Sequence, residues 1–238
     1  MSPTAVAQRR LKVSDTTRDV LVTGGTGYIG TALIPALIAR GHRVRVLSRQ
    51  DSIGRVPEGA EAVVGDALSV ESVKSALRFG DTVVHLVGTS QLANATELER
   101  VDIASIKATI AAAHGSGVLH LVYVSVAQPS PVMRSYVAAR AAGERAIADA
   151  GMRATVLRPF YVLGPGHRWP ALLVPLYALA TVIPGLRQGA RRAGLVTLQQ
   201  MVNALVRAVE HPAPKGTTIV DVPKIKQTVL AATSSEAG

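Results

Sequence analysis

The chain contains no cysteine, and that absence removes disulfides, thiolate metal sites and a cysteine nucleophile together. It also leaves the redox compartment unspecified. Histidine does not fill the gap as a metal donor. The six residues His42, His85, His114, His120, His167 and His211 never fall in a close pair with ligand spacing, so no metal is expected. Aromatic residues make up only 3% of the chain, which leaves little to stack single-stranded nucleic acid. The core must be built instead from Val, Leu, Ile and Ala within a 48% hydrophobic fraction.

Acids are also short, with 16 Asp and Glu against 26 Lys and Arg, a net charge of +10. The basic residues are spread along the chain rather than gathered in a stripe, which reads as solvated surface and argues against nucleic acid as a partner. A length of 238 residues fits one α/β domain with a small appended lobe. Residues 1–18 are polar and basic, without apolar periodicity, and are expected to be a disordered leader. No apolar h-region follows them, so they do not form a secretory signal, and a cytoplasmic protein is expected.

What is present is concentrated in Val20-Leu21-Val22-Thr23-Gly24-Gly25-Thr26-Gly27-Tyr28-Ile29-Gly30. Strand-forming residues end at Thr23, glycines follow without a spacer, and Tyr28 to Arg40 carries apolar residues at helical spacing. This is the strand, tight turn and helix of a dinucleotide-binding βαβ unit. Glycines let the backbone approach a pyrophosphate, which is met by the free N–H groups at a helix N-terminus. Two glycine patterns fit, Gly25-x-Gly27-x-x-Gly30 and Gly24-x-x-Gly27-x-x-Gly30.

Further strands are expected over 42–47, 62–66, 82–88, 119–125 and 154–157, separated by helices over 70–77, 97–115 and 134–150. Strands alternating with helices, and no hairpin signals, predict an α/β fold, a Rossmann doubly wound parallel sheet. Right-handed crossovers then bring the loops after Thr23, Leu47, Asp66, Leu86, Ser125 and Pro159 to one rim. Asp66 is expected either to cap the following helix or to lie at the adenine rim. His85, inside a nearly continuous apolar strand, reads as a packed histidine rather than a catalytic base.

The end of the second strand bears on cofactor choice. An acid there accepts hydrogen bonds from a ribose 2′-hydroxyl, whereas this chain has Ser48-Arg49, suited to a 2′-phosphate. NADP(H) is therefore expected in preference to NAD(H), with Asp51 on the ribose as the alternative. The expected cofactor contacts are Gly24, Thr26, Gly27, Tyr28, Ile29 and Gly30 from the turn, Ser48 and Arg49, Asp66 and Ala67, then Leu86, Val87, Gly88 and Pro159.

Taken in order, the glycine turn, Gly65-Asp66, Val101-Asp102, Tyr136-x-x-x-Arg140 with Glu144, Leu157-Arg158-Pro159 and Leu163-Gly164-Pro165-Gly166 resemble the extended and atypical short-chain dehydrogenase/reductase superfamily. Within it, Val124 to Gln128 and Ser135 to Glu144 are most similar to the NmrA-like NAD(P)H-binding proteins and to the NADPH-binding accessory subunit of respiratory complex I. The resemblance implies a catalytic set of a hydroxyl that polarises a carbonyl, a tyrosine that moves the proton, and a lysine four residues later. Tyr136 matches, and Arg140 stands where the lysine would be. Ala127 stands where the hydroxyl would be, which leaves Ser125 as the nearest candidate. The departures leave two functions open, an NADPH-dependent reductase and a non-catalytic NADPH-binding sensor or membrane-complex accessory protein.

Trp169 to Leu186 is uncharged and bracketed by Arg168, Arg187, Arg191 and Arg192. Pro170, Pro175 and Pro184 interrupt it, which argues against a spanning helix. It reads as a small substrate lobe over the cleft, lining an apolar pocket, or as an in-plane helix on an anionic membrane surface. Both imply a hydrophobic small-molecule partner. The expected organisation is a leader over 1–18, a Rossmann core over 19–166 and a small C-terminal helical lobe over 167–225. That lobe holds a returning helix over 195–210 and a strand over 217–222, and a frayed tail covers 226–238.

Overall fold

The computed structural model describes residues 17–89, 93–128, 133–165 and 194–230. Strands β1 (Asp19–Thr23), β2 (Arg43–Ser48), β3 (Glu61–Val64), β4 (Thr82–His85), β5 (His120–Val124), β6 (Ala154–Arg158) and β9 (Thr217–Asp221) form one sheet in the order β3-β2-β1-β4-β5-β6-β9. Every pairing in it is parallel. A separate parallel pair joins β7 (Tyr161–Leu163) to β8 (Leu195–Thr197).

The helices cover both faces. On one, α1 (Tyr28–Ala39), α6 (Leu198–Glu210) and α7 (Val222–Gln227) bury Leu33, Leu37, Met201, Leu205 and Ile225 against Val20, Val22 and Val84. On the other, α2 (Val70–Ala76), α4 (Ala104–Ala113) and α5 (Arg134–Asp149) bury Val73, Ile106 and Ile147 against Leu21, Val83 and Leu121. Consecutive strand residues thus face opposite layers and both are buried, which is why β4 and β5 read as unbroken apolar runs. The expected doubly wound Rossmann sheet is the fold observed.

Several boundaries differ from the sequence reading, each for a local reason. The helix expected over 97–115 is three pieces: α3 (Ala95–Glu97), a π-helical turn over Leu98–Ile103, and α4. It starts early because Asn94 caps it, its side chain accepting from Glu97 N at 2.9 Å. Asp66 is not the cap of α2. Ser69 holds that place by accepting from Ser72 N, while Asp66 Oδ1 accepts from Leu68 N.

The helix expected from Leu195 begins at Leu198, after β8, because Thr197 and Gln200 form a capping box. The late strand joins the main sheet at its edge, with Ala154 opposite Thr217. The expected tail is helical as far as Gln227, since Asp221 caps α7 and Val222 and Ile225 are buried. Of the expected lobe over 167–225, the described part packs on the main body through α6 on α1 and β9 on β6. The apolar stretch Trp169 to Leu186 and most of the leader lie outside the described residues.

Candidate active site

The C-terminal rim of the sheet is built around the turn between β1 and α1. Gly24 has φ +74°, and a Cβ on it would meet Leu86 C and Val87 N at 2.8 Å. Gly27 N donates to Gly24 O at 3.1 Å and closes the turn. A Cβ on Gly30 would run into the Gly25 backbone, so the first turn of α1 rests directly on the glycine loop. Gly27 caps α1 without a side-chain hydrogen bond, and no acid lies in the first turn. No side chain of the cap and no first-turn carboxylate therefore competes for an anion at this end of the helix.

Two clefts meet at this turn and share Gly24, Gly27, Leu86 and Gly88. One, of about 390 Å³, also takes in Thr26, Ser48, Arg49, Asp66, Ala67 and Val87. The other, of about 250 Å³, takes in Tyr28, Ile29, Gly30, Tyr136 and Arg140. Residues the sequence reading did not single out also line them. Ser52, Arg55 and Arg100 border the first cleft, and Thr89 the second. Arg55 closes a 3₁₀ turn over Gln50–Arg55 and Arg100 lies on the π-helical turn, and neither irregular element carries a sequence signature.

Tyr136 and Arg140 share a face of α5, as their spacing requires, with the guanidinium carbon 5.2 Å from the tyrosine ring centroid. Arg140 is buried. Its Nη2 lies 2.9 Å from Asp102 Oδ1, and Nη1 donates to Val124 O at 3.2 Å. Asp102 Oδ2 in turn accepts from Thr89 N at 2.9 Å and from Thr89 Oγ1 at 2.7 Å. The guanidinium passes so close to Gly88 that a Cβ there would collide with Nη2. Burial disfavours the Arg140 charge, but the phenol groups of Tyr136 and Tyr123 and the Asp102 carboxylate outweigh it and push its pKa up.

Ser125 and Pro159 are not brought to either cleft. The Ser125 hydroxyl donates to Glu144, which also accepts from Gln128 Nε2 at 2.9 Å and from Arg158 Nε at 3.0 Å. Pro159 O accepts from Ala127 N at 2.9 Å, which joins the ends of β5 and β6.

His85 sits directly beneath the turn, buried, as expected of a packing residue. Its Nδ1 lies 3.0 Å from Thr23 Oγ1 and 3.1 Å from Thr109 Oγ1, and Nε2 lies 3.3 Å from Ser105 Oγ. Burial first, and the Arg140 charge second, push its pKa down to about 3, so the imidazole is uncharged at neutral pH. Among the described residues no group of His, Cys, Asp or Glu is placed to hold a metal ion. Nor is any helix among them long and apolar enough to cross a membrane.

A parallel sheet with a glycine turn at its first crossover, and clefts along its C-terminal rim, defines a dinucleotide-binding Rossmann protein. Residues 24–166 match the family described as NAD(P)H-binding, and the chain belongs to that family. It is 30% identical over 176 residues to a ceramide reductase of Caulobacter vibrioides, covering 73% of this chain and 56% of that protein. It is 32% identical over 223 residues to a 3-diazoavenalumate denitrifying reductase of a Streptomyces species, covering 82% of this chain and 73% of the relative. The chain thus spans little more than half the length of the first relative. Among solved structures, a short-chain dehydrogenase/reductase superfamily protein of Agrobacterium tumefaciens with bound NAD superposes with a TM-score of 0.63. That match is 20% identical and covers 86% of this chain and 77% of that one, a likeness of fold.

Proposed function

We propose that the chain is an NADPH-dependent reductase of a hydrophobic carbonyl or quinone. The observation that carries this reading is the continuity of the two clefts across the glycine turn, with guanidinium groups at one end and Tyr136 at the other. The cofactor supplies a hydride when bound. The turn from Gly24 to Gly30 and the N–H groups of Tyr28, Ile29 and Gly30 hold its pyrophosphate. Ser48 and Arg49 border the adenosine ribose, Asp66 and Ala67 the adenine rim, and Leu86, Val87 and Gly88 the floor.

Tyr136 holds the proton that the substrate oxygen receives. Arg140, turned onto Asp102 and the carbonyl of Val124, keeps the floor loop in place rather than contacting substrate. A hydrophobic substrate fits the uncharged stretch Trp169 to Leu186 and the reductase of a sphingolipid among the relatives. The same arginine-bracketed stretch is proposed to rest on an anionic membrane surface, where such a substrate is found.

The test is a fluorescence titration with NADPH and NADH, followed by turnover on a panel of quinones and long-chain ketones. Tyr136→Phe should lower turnover by about 10²-fold or more while leaving the NADPH dissociation constant within about twofold. A second reading, a non-catalytic NADPH-binding protein, is favoured by the engagement of Ser125 with Glu144 and of Arg140 with Asp102. Tight NADPH binding with no turnover on any member of the panel would establish it in place of the first.

A further inference from the structure

A cavity of about 670 Å³, larger than either cleft at the glycine turn and sharing no residue with them, lies between α6, α7 and the strands β6 and β9. Its size is that of a small-molecule site. Thr155 and Thr218, each the second residue of its strand and paired across the sheet, line one end of it. It therefore begins at the N-terminal ends of these strands, away from the rim that carries the glycine turn.

Its floor is apolar and its rim basic. Ala204, Ala208 and Ala213 are buried and Val220 is half-buried, whereas Arg207, His211 and Lys224 are exposed. Helical spacing produces this division. Ala204 and Ala208 lie four apart on one face of α6, and Arg207 and His211, also four apart, flank that face. Leu205 and Val209, one residue further on, fill the core, while the alanines leave open the volume that larger side chains would occupy.

No carboxylate lines the cavity. The two acids nearest in sequence are engaged elsewhere: Glu210 accepts from Arg40 Nε, and Asp221 caps α7 by accepting from Lys224 N at 3.4 Å. Among the described residues neither Arg207 nor Lys224 has a carboxylate at ion-pair distance. Lys224 Nζ donates to Ile219 O at 3.4 Å, which leaves further donors of the ammonium group for a ligand. The Arg207 guanidinium offers a fork that matches a carboxylate or a phosphate.

We propose that this cavity is a second ligand site, separate from the clefts at the glycine turn, for an amphipathic anion. Its carboxylate or phosphate head is met by Arg207 and Lys224, and its apolar body lies on Ala204, Ala208 and Val220. A small inorganic anion would leave the alanine floor uncovered, and a neutral amphiphile would leave the two cations unmatched.

The probes are decanoate, decyl phosphate and decanol, titrated calorimetrically into the full chain below their aggregation concentrations. At least one of the two anions should bind about tenfold or more tightly than decanol, and the comparison between them identifies the head group. Arg207→Gln and Lys224→Gln should each weaken that anion about tenfold and leave decanol within about twofold. Ala208→Leu, which fills the floor, should weaken the anion and decanol alike. Thermal melts of each variant verify the fold.

NADPH affinity should stay within about twofold in the Gln variants, because neither residue lines the clefts at the glycine turn. Failure of the chain to bind NADPH would leave this inference standing. Equal binding of the anions and decanol, or no binding of any probe, overturns it. Anion binding that survives both Gln substitutions lies elsewhere on the chain and overturns it as well.

Discussion

Arg140 Nη2 lies 2.9 Å from Asp102 Oδ1, and both side chains are buried, Asp102 completely and Arg140 but for its edge on the cleft. Each needs the other, because removing one partner of a buried pair strands an uncompensated charge at a cost of about 3–5 kcal/mol. Asp102→Ala should therefore lower unfolding stability by about that amount. Combining Asp102→Asn with Arg140→Met should lower it by less than the sum of the two single changes. Urea denaturation of the wild type, Asp102→Asn, Arg140→Met and the double variant measures the coupling, and additive single-variant losses would show that the pair is not energetically linked.

The contact between Gly30 and Gly25 makes a second expectation specific. A methyl at Gly30 would enter the Gly25 backbone, whereas a methyl at Gly41 would meet nothing within 4 Å, though that residue has φ +83°. Gly30→Ala should abolish detectable NADPH binding at millimolar concentrations and cost about 1–3 kcal/mol of stability by overpacking. Gly41→Ala should cost about 1 kcal/mol through backbone strain and leave the NADPH affinity unchanged. Titration and melting of the two variants side by side separate local geometry from general destabilisation.

The buried histidines set the acid side of the stability profile. Burial pushes His85 down to about 3 and His120 down to about 4, below the ordinary value of 6.5 they regain on unfolding. The unfolded chain binds their protons first. Their contribution is complete above pH 6.5 and is lost as pH falls toward the folded values, at roughly 1.4 kcal/mol per pH unit for each fully titrating histidine. Urea midpoints at pH 7.5, 6 and 5 should fall progressively, and His120→Gln should flatten the slope, with His85 and His42, which burial also lowers, supplying the rest. A midpoint constant from pH 7.5 to 5 would contradict this account.

The parts of the fold that were legible from sequence are those with a local pattern. Val20 to Gly30 announces its strand, turn and helix in eleven consecutive residues, and the spacing of Tyr136 and Arg140 on one helix face follows from helical pitch alone. Partners distant in sequence were not legible. Arg43 and Arg45 both fall on the polar side of the alternation in β2, yet Arg43 is exposed on Asp19, while Arg45 is buried and lies 2.5 Å from Asp81. No periodicity reveals that pairing, because Asp81 reaches it only after an intervening strand and helix. Ser125 reads as a candidate hydroxyl, and no local pattern reveals that Glu144, from the next helix, accepts its hydrogen bond. Arg55 and Arg100 escaped notice because each sits on an irregular turn whose direction is set by packing rather than by propensity.

Gly164, just beyond β7, also has a consequence for function. A Cβ there would collide with the Tyr28 hydroxyl and meet Leu198 Cβ at 3.1 Å. The bare α-carbon thus forms a socket for the first side chain of α1, at the point where the chain departs toward Trp169, and β8 brings it back alongside β7. The first residue of α1 and the residue that follows β7 are in direct contact. Any side chain at Gly164 would displace Tyr28, which lines the cleft that also holds Tyr136.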